Sequence, residues 1–289
     1  NIAEDHLGMD GTDTLEDLAF VKALVVEAVK ADGYAVLNAD DKMTPYIAER
    51  CKARKIMFSM HAPKEDGHIW VYAQDGWIKV SMEGQTAKIL RIDEIPITCG
   101  GLIECNTENA LAAVSALIGL HIPFEQIAQG LKTFQQNNGR FNMFAVRDFK
   151  VMLDYGHNLP GYQQVIKACQ KIGYSRLIGV IGMPGDRSDE SIQSVGRFCA
   201  KAFDAIYIKE DADKRGRKSG EVAQLFFDAI KESRPSGRYQ IVLDELDALR
   251  LAVENARSGD LIVVFYEKLE PLQAYLESLS PKEYASNLT

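Results

Sequence analysis

The sequence predicts an α/β protein with two domains. It has 289 residues, of which 46% are hydrophobic and 26% charged, enough for two sizeable cores. Residues 34–59 alternate short apolar runs with a helical pattern, and residues 69–97 alternate apolar with polar side chains. After residue 141, apolar runs and helical patterns alternate regularly, which is typical of a doubly wound parallel sheet. We therefore expect domains of residues 1–141 and 142–289.

The first domain should combine a parallel sheet with antiparallel hairpins. Thr14 can cap an opening helix over residues 14–30, with Asp17 completing an acidic capping box. The apolar stripe of that helix is Leu15, Leu18, Ala19, Val21, Val25, Ala28 and Val29. Further helices are expected over residues 42–54, 107–120 and 124–134, with Asn106 as a cap, and strands over 34–37 and 55–59. Residues 69–97 should form hairpins, with turns at Gly67, Gly76 and Gly84.

The second domain should be a doubly wound sheet in which helices separate the strands. The expected strands are residues 151–153, 177–181, 205–208, 240–243 and 261–265. In such sheets ligands bind beyond the carboxyl ends of the strands, so the loops that follow them are the places to look for a site.

Composition excludes several classes of function. The net charge is −8, whereas a protein that binds a phosphate backbone needs a basic stripe, so we expect no nucleic-acid partner. No apolar run could cross a membrane and no secretory leader is present. Five widely spaced cysteines without a Cys-x-x-Cys pair indicate reduced thiols. We expect a cytoplasmic protein.

A series of polar positions forms one ordered signature. In order they are Asn1, Asp5-His6, Lys22, Asn38-Ala39-Asp40-Asp41, Asn106, Asn109, Gly139-Arg140, Asp154 and His157. Their order and spacing resemble the Mur ligase superfamily, whose members use ATP to join a carboxylate to an amine. The resemblance implies a partial central domain followed by a Rossmann-like C-terminal domain. The phosphate-cradling Gly-x-x-x-x-Gly-Lys-Ser/Thr loop is absent, so we expect the back part of an enzyme, inactive alone.

The resemblance implies chemistry through an acyl phosphate, with ATP and Mg²⁺ as cofactors. Lys22 stands where the family carries a lysine that is commonly carbamylated, and a carbamate supplies the oxygen ligands that Mg²⁺ prefers. His6 would be a second magnesium ligand. The alternative is a surface lysine on a helix, preceded by a capping Asp-His pair.

Four further residues receive nucleotide or catalytic roles from the resemblance. Asn109 would contact adenine, Arg140 the ATP phosphates and Asp154 the ribose hydroxyls. His157 is a candidate catalytic residue. The alternatives are an exposed helix Asn, an ordinary linker Arg and a loop His with a structural hydrogen bond. Asn142 stands where the family pattern has an acid, Leu159 where it has Pro, and Asn38 to Asp41 are expected to be framework.

Charged loops after three predicted strands are candidates for recognising the amine substrate. They contribute Asp186, Arg187, Asp211, Asp213, Arg215 and Glu267. An amino acid such as arginine offers a guanidinium that pairs with a carboxylate and a carboxylate that pairs with an arginine. At least one of Asp211, Asp213 and Glu267 should therefore pair with the guanidinium. The alternative is a solvated loop of mixed charge.

Within the superfamily the chain most resembles the cyanophycin synthetases. The matching stretches are residues 1–11, 140–142, 154–158, 216–221 and 265–271. This implies a module that joins arginine to the aspartate side-chain carboxylate of a polymer. Expected partners are ATP, arginine, the acceptor polymer and N-terminal modules of the same polypeptide, with homo-oligomerisation left open. The alternatives are a muramyl-peptide or folylpolyglutamate ligase, or a non-catalytic module of a larger synthetase.

Overall fold

The computed structural model describes residues 1–2, 12–63 and 67–279. The chain divides into two compact units between Gln136 and Asn137. Each unit is built around its own mixed sheet, so the predicted α/β class is confirmed. None of the five cysteines, all of which lie in the described ranges, forms a disulfide. No helix in those ranges is long and apolar enough to cross a bilayer.

The described residues of the first unit form four helices and five strands. The helices are α1 (Leu15–Glu27), α2 (Thr44–Glu49), α3 (Glu104–Gly119) and α4 (Phe124–Thr133), and two short 3₁₀ turns cover Ile92–Glu94 and Pro96–Thr98. The strands are β1 (Tyr34–Asn38), β2 (Arg54–Ser59), β3 (Ile69–Gln74), β4 (Trp77–Met82) and β5 (Gln85–Arg91). Their order in the sheet is β1-β2-β3-β4-β5. The first three strands are parallel, and β3 to β5 are antiparallel hairpins as predicted.

The amino end of α1 follows the sequence closely, but its apolar stripe does not. Thr14 accepts a hydrogen bond from the Asp17 amide, and the Asp17 carboxylate accepts one from the Thr14 amide, which is the predicted capping box. Only part of the stripe is buried: Leu18 is 6% exposed, whereas Val21 is 49% and Val25 73% exposed. The apolar stripe listed from the sequence is therefore buried only in part.

Two other helices differ from prediction at their ends. Helix α2 has six residues rather than thirteen, because the chain turns at both ends of Thr44–Glu49 to join the neighbouring strands. Helix α3 begins at Glu104, so Asn106 lies inside its first turn and does not cap it. The Asn106 amide instead donates to the Ile97 carbonyl oxygen at 2.6 Å, which ties the helix to the preceding loop.

The second unit is a six-stranded sheet covered by helices. The strands are β6 (Asn142–Val146), β7 (Phe149–Asp154), β8 (Leu177–Ile181), β9 (Ala205–Ile208), β10 (Arg238–Ile241) and β11 (Leu261–Phe265). The helices are α5 (Leu159–Ile172), α6 (Asp189–Ala202), α7 (Glu221–Ser233), α8 (Glu245–Glu254) and α9 (Leu269–Leu279). The strand order is β10-β9-β8-β11-β7-β6. Separate apolar clusters form on the two faces of this sheet.

The second sheet is not wholly parallel, contrary to prediction. Strand β6 pairs antiparallel with β7, through a tight turn in which Arg147 has φ 53°. The hairpin was not predicted, because this turn lacks the Asn-Gly or Asp-Gly pair that usually marks one. Asp154 therefore ends the second strand of this unit rather than the first. Strand β10 also begins two residues earlier than predicted.

Candidate active site

Asp154 lies at the carboxyl end of β7, but its carboxylate is buried. The residue is 2% exposed, and its Oδ2 accepts a hydrogen bond from the Phe141 amide at 3.0 Å. Burial raises the pKa of Asp154, and the Phe141 amide and Arg140 offset this only in part. Asp154 is therefore buried at the strand end, and the linker backbone covers one of its oxygens.

Arg140 lies beside Asp154 and over an exposed aromatic ring. Its Nη1 is 4.0 Å from Asp154 Oδ1, and its guanidinium carbon is 5.2 Å from the centre of the Tyr155 ring. The Arg140 side chain stays 45% exposed, and Tyr155 is 40% exposed. An accessible ring beside a guanidinium can stack on a planar group such as a nucleobase. Tyr155 was missed in the sequence, where its place between Asp154 and His157 was the available signal.

The backbone of Gly139 is held against β7 and β11. Its carbonyl oxygen accepts hydrogen bonds from the Tyr266 hydroxyl at 2.9 Å and from the Tyr155 amide at 3.2 Å. A Cβ at this position would lie 2.0 Å from the Tyr266 hydroxyl oxygen, and the φ of Gly139 is +83°. Burial raises the pKa of Tyr266 to about 12, so its hydroxyl remains a donor. Glycine is therefore required for the turn that carries Arg140.

The linker carries the amide of Asn142 where the resemblance predicts an acid, and the hydrogen bonds of Asn142 account for the difference. Its Oδ1 accepts a hydrogen bond from the Gly139 amide, and its Nδ2 donates to the Asn137 carbonyl oxygen at 3.3 Å. An ionised acid could accept the first bond but could not donate the second. Asn142 thus closes the turn between Asn137 and Gly139.

His157 follows the same strand end, and its protonation pattern can be assigned. Its Nδ1 lies 3.1 Å from the Tyr155 carbonyl oxygen, which can only accept, so Nδ1 carries the hydrogen. In the neutral ring Nε2 is then the basic nitrogen. Asn158 caps α5 by accepting from the Gly161 amide at 2.9 Å, and Pro160 lies in the first turn, where its missing amide is not needed. Pro160, which comes one position later than in the family pattern, therefore fits the start of α5.

The loops after β8 and β9 are interlocked. Arg215 Nη1 lies 2.6 Å from Asp186 Oδ2, and Arg217 donates to the carbonyl oxygens of Gly185 and Arg187 at 2.7 Å each. A Cβ on Gly185 would lie 2.2 Å from the Lys214 carbonyl oxygen, so the two backbones pack directly. The structure thus brings together the charged loop residues that the sequence placed after different strands.

Lys209 is a buried cation that the sequence reading missed. It is 1% exposed, and its Nζ lies 2.7 Å from both Asp211 Oδ1 and Glu245 Oε2. Burial alone would lower the pKa of Lys209, but the two carboxylates outweigh it and hold the pKa above its usual value. The Lys209 side chain runs under Gly182, where a Cβ would lie 2.8 Å from its Cε. The signal was a lysine directly after an apolar strand.

The carboxylates of this network also hold backbone amides. Glu267 accepts hydrogen bonds from the amides of Ala212 and Asp213. Glu245 accepts from the amides of Glu267 at 2.7 Å and Lys268 at 3.1 Å. Lys209, Glu245 and Glu267 therefore link the loops after β9 and β11 to the start of α8. We call this set the lysine network.

Of the three acids proposed to hold a guanidinium, Asp213 is the most accessible. Asp211 is occupied by Lys209 and its side chain is 11% exposed, and Glu267 is occupied by backbone amides. The Asp213 side chain is 73% exposed; its Oδ1 accepts from the Arg215 amide at 3.0 Å, and its Oδ2 lies 4.0 Å from Arg215 Nε. The geometry therefore favours Asp213 over the other two as a partner for an incoming cation.

Two of the residues in the first unit that were expected to bind metal or adenine are exposed on helices. Lys22 is exposed on α1 and Asn109 is exposed on α3, while His6 lies outside the described residues. Within the ranges that the structure describes, no group of three His, Cys, Asp or Glu side chains could hold a metal ion. A carbamate on Lys22 would add oxygen donors, but the described side chains alone do not make a complete Mg²⁺ site.

The Asn38 to Asp41 stretch is held by hydrogen bonds within the first unit. Asn38 donates to Asn1 Oδ1 at 2.5 Å and to Glu108 Oε1 at 2.6 Å. Asp40 accepts from the Ser59 hydroxyl and from the Met60 amide, both at 2.7 Å. These bonds agree with the framework role predicted for this stretch. Glu108, missed in the sequence, joins α3 to Asn1 and Asn38.

Two family models match the chain. The Mur ligase middle domain matches residues 1–117, and the Mur ligase glutamate ligase domain matches residues 139–265. A cyanophycin synthetase from Crocosphaera subtropica is 40% identical over 284 residues, covering 93% of this chain and 32% of the relative. The chain thus spans about a third of the length of that relative.

Solved structures of low sequence identity share the fold. A pseudomurein peptide ligase type C from Methanothermus fervidus matches with a TM-score of 0.68 and 16% identity, covering 96% of this chain and 62% of the other. A bifunctional folylpolyglutamate synthase/dihydrofolate synthase from Yersinia pestis, complexed with AMPPNP and a Mn ion, matches with a TM-score of 0.64 and 20% identity, over 96% and 60% of the two chains. The chain therefore belongs to the Mur ligase family and carries its middle domain and its C-terminal glutamate ligase domain.

Proposed function

We propose that this chain is part of an ATP-dependent carboxylate–amine ligase that joins arginine to an aspartate side-chain carboxylate of a cyanophycin-like polymer. The reaction would pass through an acyl phosphate, with Mg²⁺ balancing phosphate charge. Support comes from the 40% identity to a cyanophycin synthetase and from the charged loops of the second unit. Because the chain spans about a third of that relative, the activity is proposed for the whole ligase and not for this chain alone.

The observation that carries the arginine assignment is the pairing of both charge signs at one edge of the second sheet. Asp213 offers an accessible carboxylate, while Arg215 is held 2.6 Å from Asp186 in the neighbouring loop. A guanidinium could pair with Asp213, and the α-carboxylate of the amino acid with an arginine of the same cluster.

At the β7 end, Asp154, Arg140, Tyr155 and His157 are proposed to serve the nucleotide. Arg140 keeps an exposed guanidinium for phosphate, and the Tyr155 ring is available for stacking on adenine. Asp154 has one oxygen occupied by the Phe141 amide, so a ribose hydroxyl would have to use the other. With Nδ1 donating to the Tyr155 carbonyl oxygen, Nε2 of His157 is the ring nitrogen that could accept a hydrogen bond.

Neutralising Asp213 should change amine selectivity in the full-length enzyme. For Asp213→Asn we expect the KM for arginine to rise about 10-fold and the preference for arginine over lysine to narrow, because a charge-assisted bond is lost. The measurement is amine-dependent ATP hydrolysis, with arginine, lysine, glutamate and diaminopimelate compared as the amine substrate. Asp228→Asn removes the same charge from the exposed face of α7 and should leave both values unchanged.

The same assay separates the alternatives. Hydrolysis stimulated by diaminopimelate or glutamate instead of arginine would indicate a muramyl-peptide or folylpolyglutamate type of ligase. An Asp213→Asn enzyme with wild-type arginine KM and selectivity would remove Asp213 from the amine site. Absence of amine-dependent hydrolysis with every acceptor, in a folded full-length protein, would favour a non-catalytic module.

A further inference from the structure

A second opening lies at the other end of the second sheet. A cavity of about 340 Å³ is lined by residues at the amino-terminal ends of β8, β9 and β10 and by the end of α8. Arg176 precedes β8, Arg238 begins β10 and Arg257 follows α8. The candidate active site lies at the carboxyl ends of the same strands, so this cavity is separate from it.

The cavity has an apolar floor and a cationic rim. Arg238 pairs in register with Ala205, and Ala205 with Ile178, so in this parallel sheet their side chains lie on one face. Ile178 and Tyr207 belong to the apolar cluster that α8 covers through Ala252. Helix α8 packs mainly on β8 and β9, which leaves the neighbouring face of β10 open toward solvent.

One buried carboxylate fixes two parts of the rim. The Asp260 side chain is 0% exposed, and its Oδ1 accepts from Arg176 Nε at 3.0 Å. Its Oδ2 accepts from Arg176 Nη2 and from the Arg257 backbone amide at 2.7 Å. The Arg176 fork and the backbone that carries Arg257 are therefore positioned before any ligand arrives, which reduces the ordering cost of binding.

The rim keeps excess positive charge. Arg238 and Arg257 are exposed, and neither side chain forms an ion pair with any residue in the described ranges. Asp204, the residue before β9, accepts from the Leu177 amide at 2.8 Å and does not line the cavity. Of the arginines that line the cavity, Arg176 is balanced from behind by Asp260, and the guanidinium charges of Arg238 and Arg257 remain. In a chain of net charge −8 this local excess favours a bound anion.

We propose that this cavity binds a phosphate dianion, either free or as the head of a small organic phosphate. Two uncompensated guanidiniums match a dianion in charge, and their planar forks match phosphate oxygens in geometry. The floor formed by Ile178, Ala205 and Tyr207 suits the apolar part of an organic phosphate. The site is independent of the ligase assignment, because none of its residues belongs to the candidate active site.

The test is calorimetric titration of the intact chain with inorganic phosphate at constant ionic strength. The Arg238→Gln/Arg257→Gln variant should bind phosphate at least ~10-fold more weakly, because two charge-assisted contacts are lost. The matched control is Arg197→Gln/Arg250→Gln, which removes the same charge from arginines that pair with Glu190 and Asp247. This control should keep the wild-type affinity. Both arginines in the test variant are exposed, so an unchanged melting temperature would show that it still folds.

Three results would overturn the proposal: no phosphate binding by the wild-type chain, undiminished binding by the test variant, or equal loss in the control. A further variant, Arg140→Gln/Arg215→Gln, checks the location of the site. If phosphate binds at the amino ends of the strands, this variant keeps its affinity, and a loss here would assign the binding to the other edge.

Titration with phenyl phosphate identifies the source of the phosphate group. Tighter binding than inorganic phosphate assigns an organic phosphate, and equal binding assigns the free ion.

Discussion

Gly139 has to be a glycine because a residue far away in the sequence packs against it. The Tyr266 hydroxyl occupies the space that a Cβ would need, and it also binds the Gly139 carbonyl oxygen. The Gly-Arg pair could be recognised in the sequence because of its place in the signature. The reason for the glycine could not be recognised, because Tyr266 lies 127 positions away and reaches Gly139 only through the packing of β11.

This contact predicts a non-additive pair of substitutions. Gly139→Ala should lower the free energy of unfolding by about 2 kcal/mol or more, from the positive φ and the overlap with Tyr266. Tyr266→Phe should cost about 1 kcal/mol through the lost hydrogen bond. Tyr266→Phe removes the hydroxyl oxygen that the new Cβ of Gly139→Ala would overlap. The double variant should therefore lose less stability than the sum of the two single losses. Urea unfolding measures this, and strictly additive losses would contradict it.

Asp154 predicts a pH dependence of stability. Its pKa is raised above the usual 3.8, so Asp154 binds a proton more tightly in the folded state than in the unfolded state. Its contribution is therefore fully present below pH 3.8 and is lost as pH rises through the folded-state pKa. Asn has no such titration. The stability of Asp154→Asn relative to wild type should improve as pH rises from about 3 to about 7.

The measurement is the melting temperature of both proteins across this pH range, with Asp148→Asn as a control in the turn before β7. A difference that moves the opposite way would mean that Arg140 and the amides outweigh burial. In the full-length enzyme the same Asp154→Asn change should raise the KM for ATP more than that for the amino acid. An unchanged KM for ATP would mean that Asp154 serves only the linker.

At the element scale, the lysine network shows what one strand end contributes to its neighbours. Sequence patterns predicted β8, β9 and β11 and the charged loops after them, because apolar runs bounded by polar residues are a local signal. They did not predict which acids are occupied. Asp211 and Glu267 looked equivalent to Asp213 in the sequence, and only the packing of α8 against β9 places Glu245 beside Lys209. The edge strand β6 was missed for a similar reason, since its pairing with β7 depends on a turn without glycine.

Removing the charge of Lys209 should be strongly destabilising. Lys209→Met keeps the length of the side chain but leaves Asp211 and Glu245 without their cation, and we expect a loss of about 3–5 kcal/mol. The matched variant Lys209→Met/Asp211→Asn/Glu245→Gln also removes the negative charges and should recover part of that loss. Chemical unfolding of the three proteins tests this, and a single variant as stable as wild type would show that the buried pairs contribute nothing.

At the scale of the whole molecule, the signature in the sequence was informative because family chemistry constrains widely separated positions together. It led to the family that the domain comparisons establish, with two matched domains along one chain. It did not lead to the cavity at the amino ends of β8 to β10, because Arg176, Arg238 and Arg257 carry no sequence pattern. Their proximity depends on strand order, which puts β10 and β8 on either side of β9.

Lys22 is the residue through which the whole-enzyme proposal can be tested most directly. In the full-length protein Lys22→Ala should reduce the rate on the order of 10²–10³-fold, typical of losing one preorganised electrostatic group. A carbamate on wild-type Lys22 should give a carbon-13 NMR signal from labelled bicarbonate that the variant lacks. The exposed Lys30 offers a control, since Lys30→Ala should keep both the signal and the rate. Near-normal rates in Lys22→Ala would end the carbamate proposal.

The lysine network has a consequence for how this fold could acquire a new substrate. Because Glu245, Glu267 and Lys209 each hold part of a different segment, an exchange of the loop after β9 alone would leave buried charges without partners. A graft from a relative would therefore need the start of α8 and the loop after β11 from the same donor. Across evolution, these segments should be inherited together, whereas single changes at Asp213 remain free to adjust selectivity.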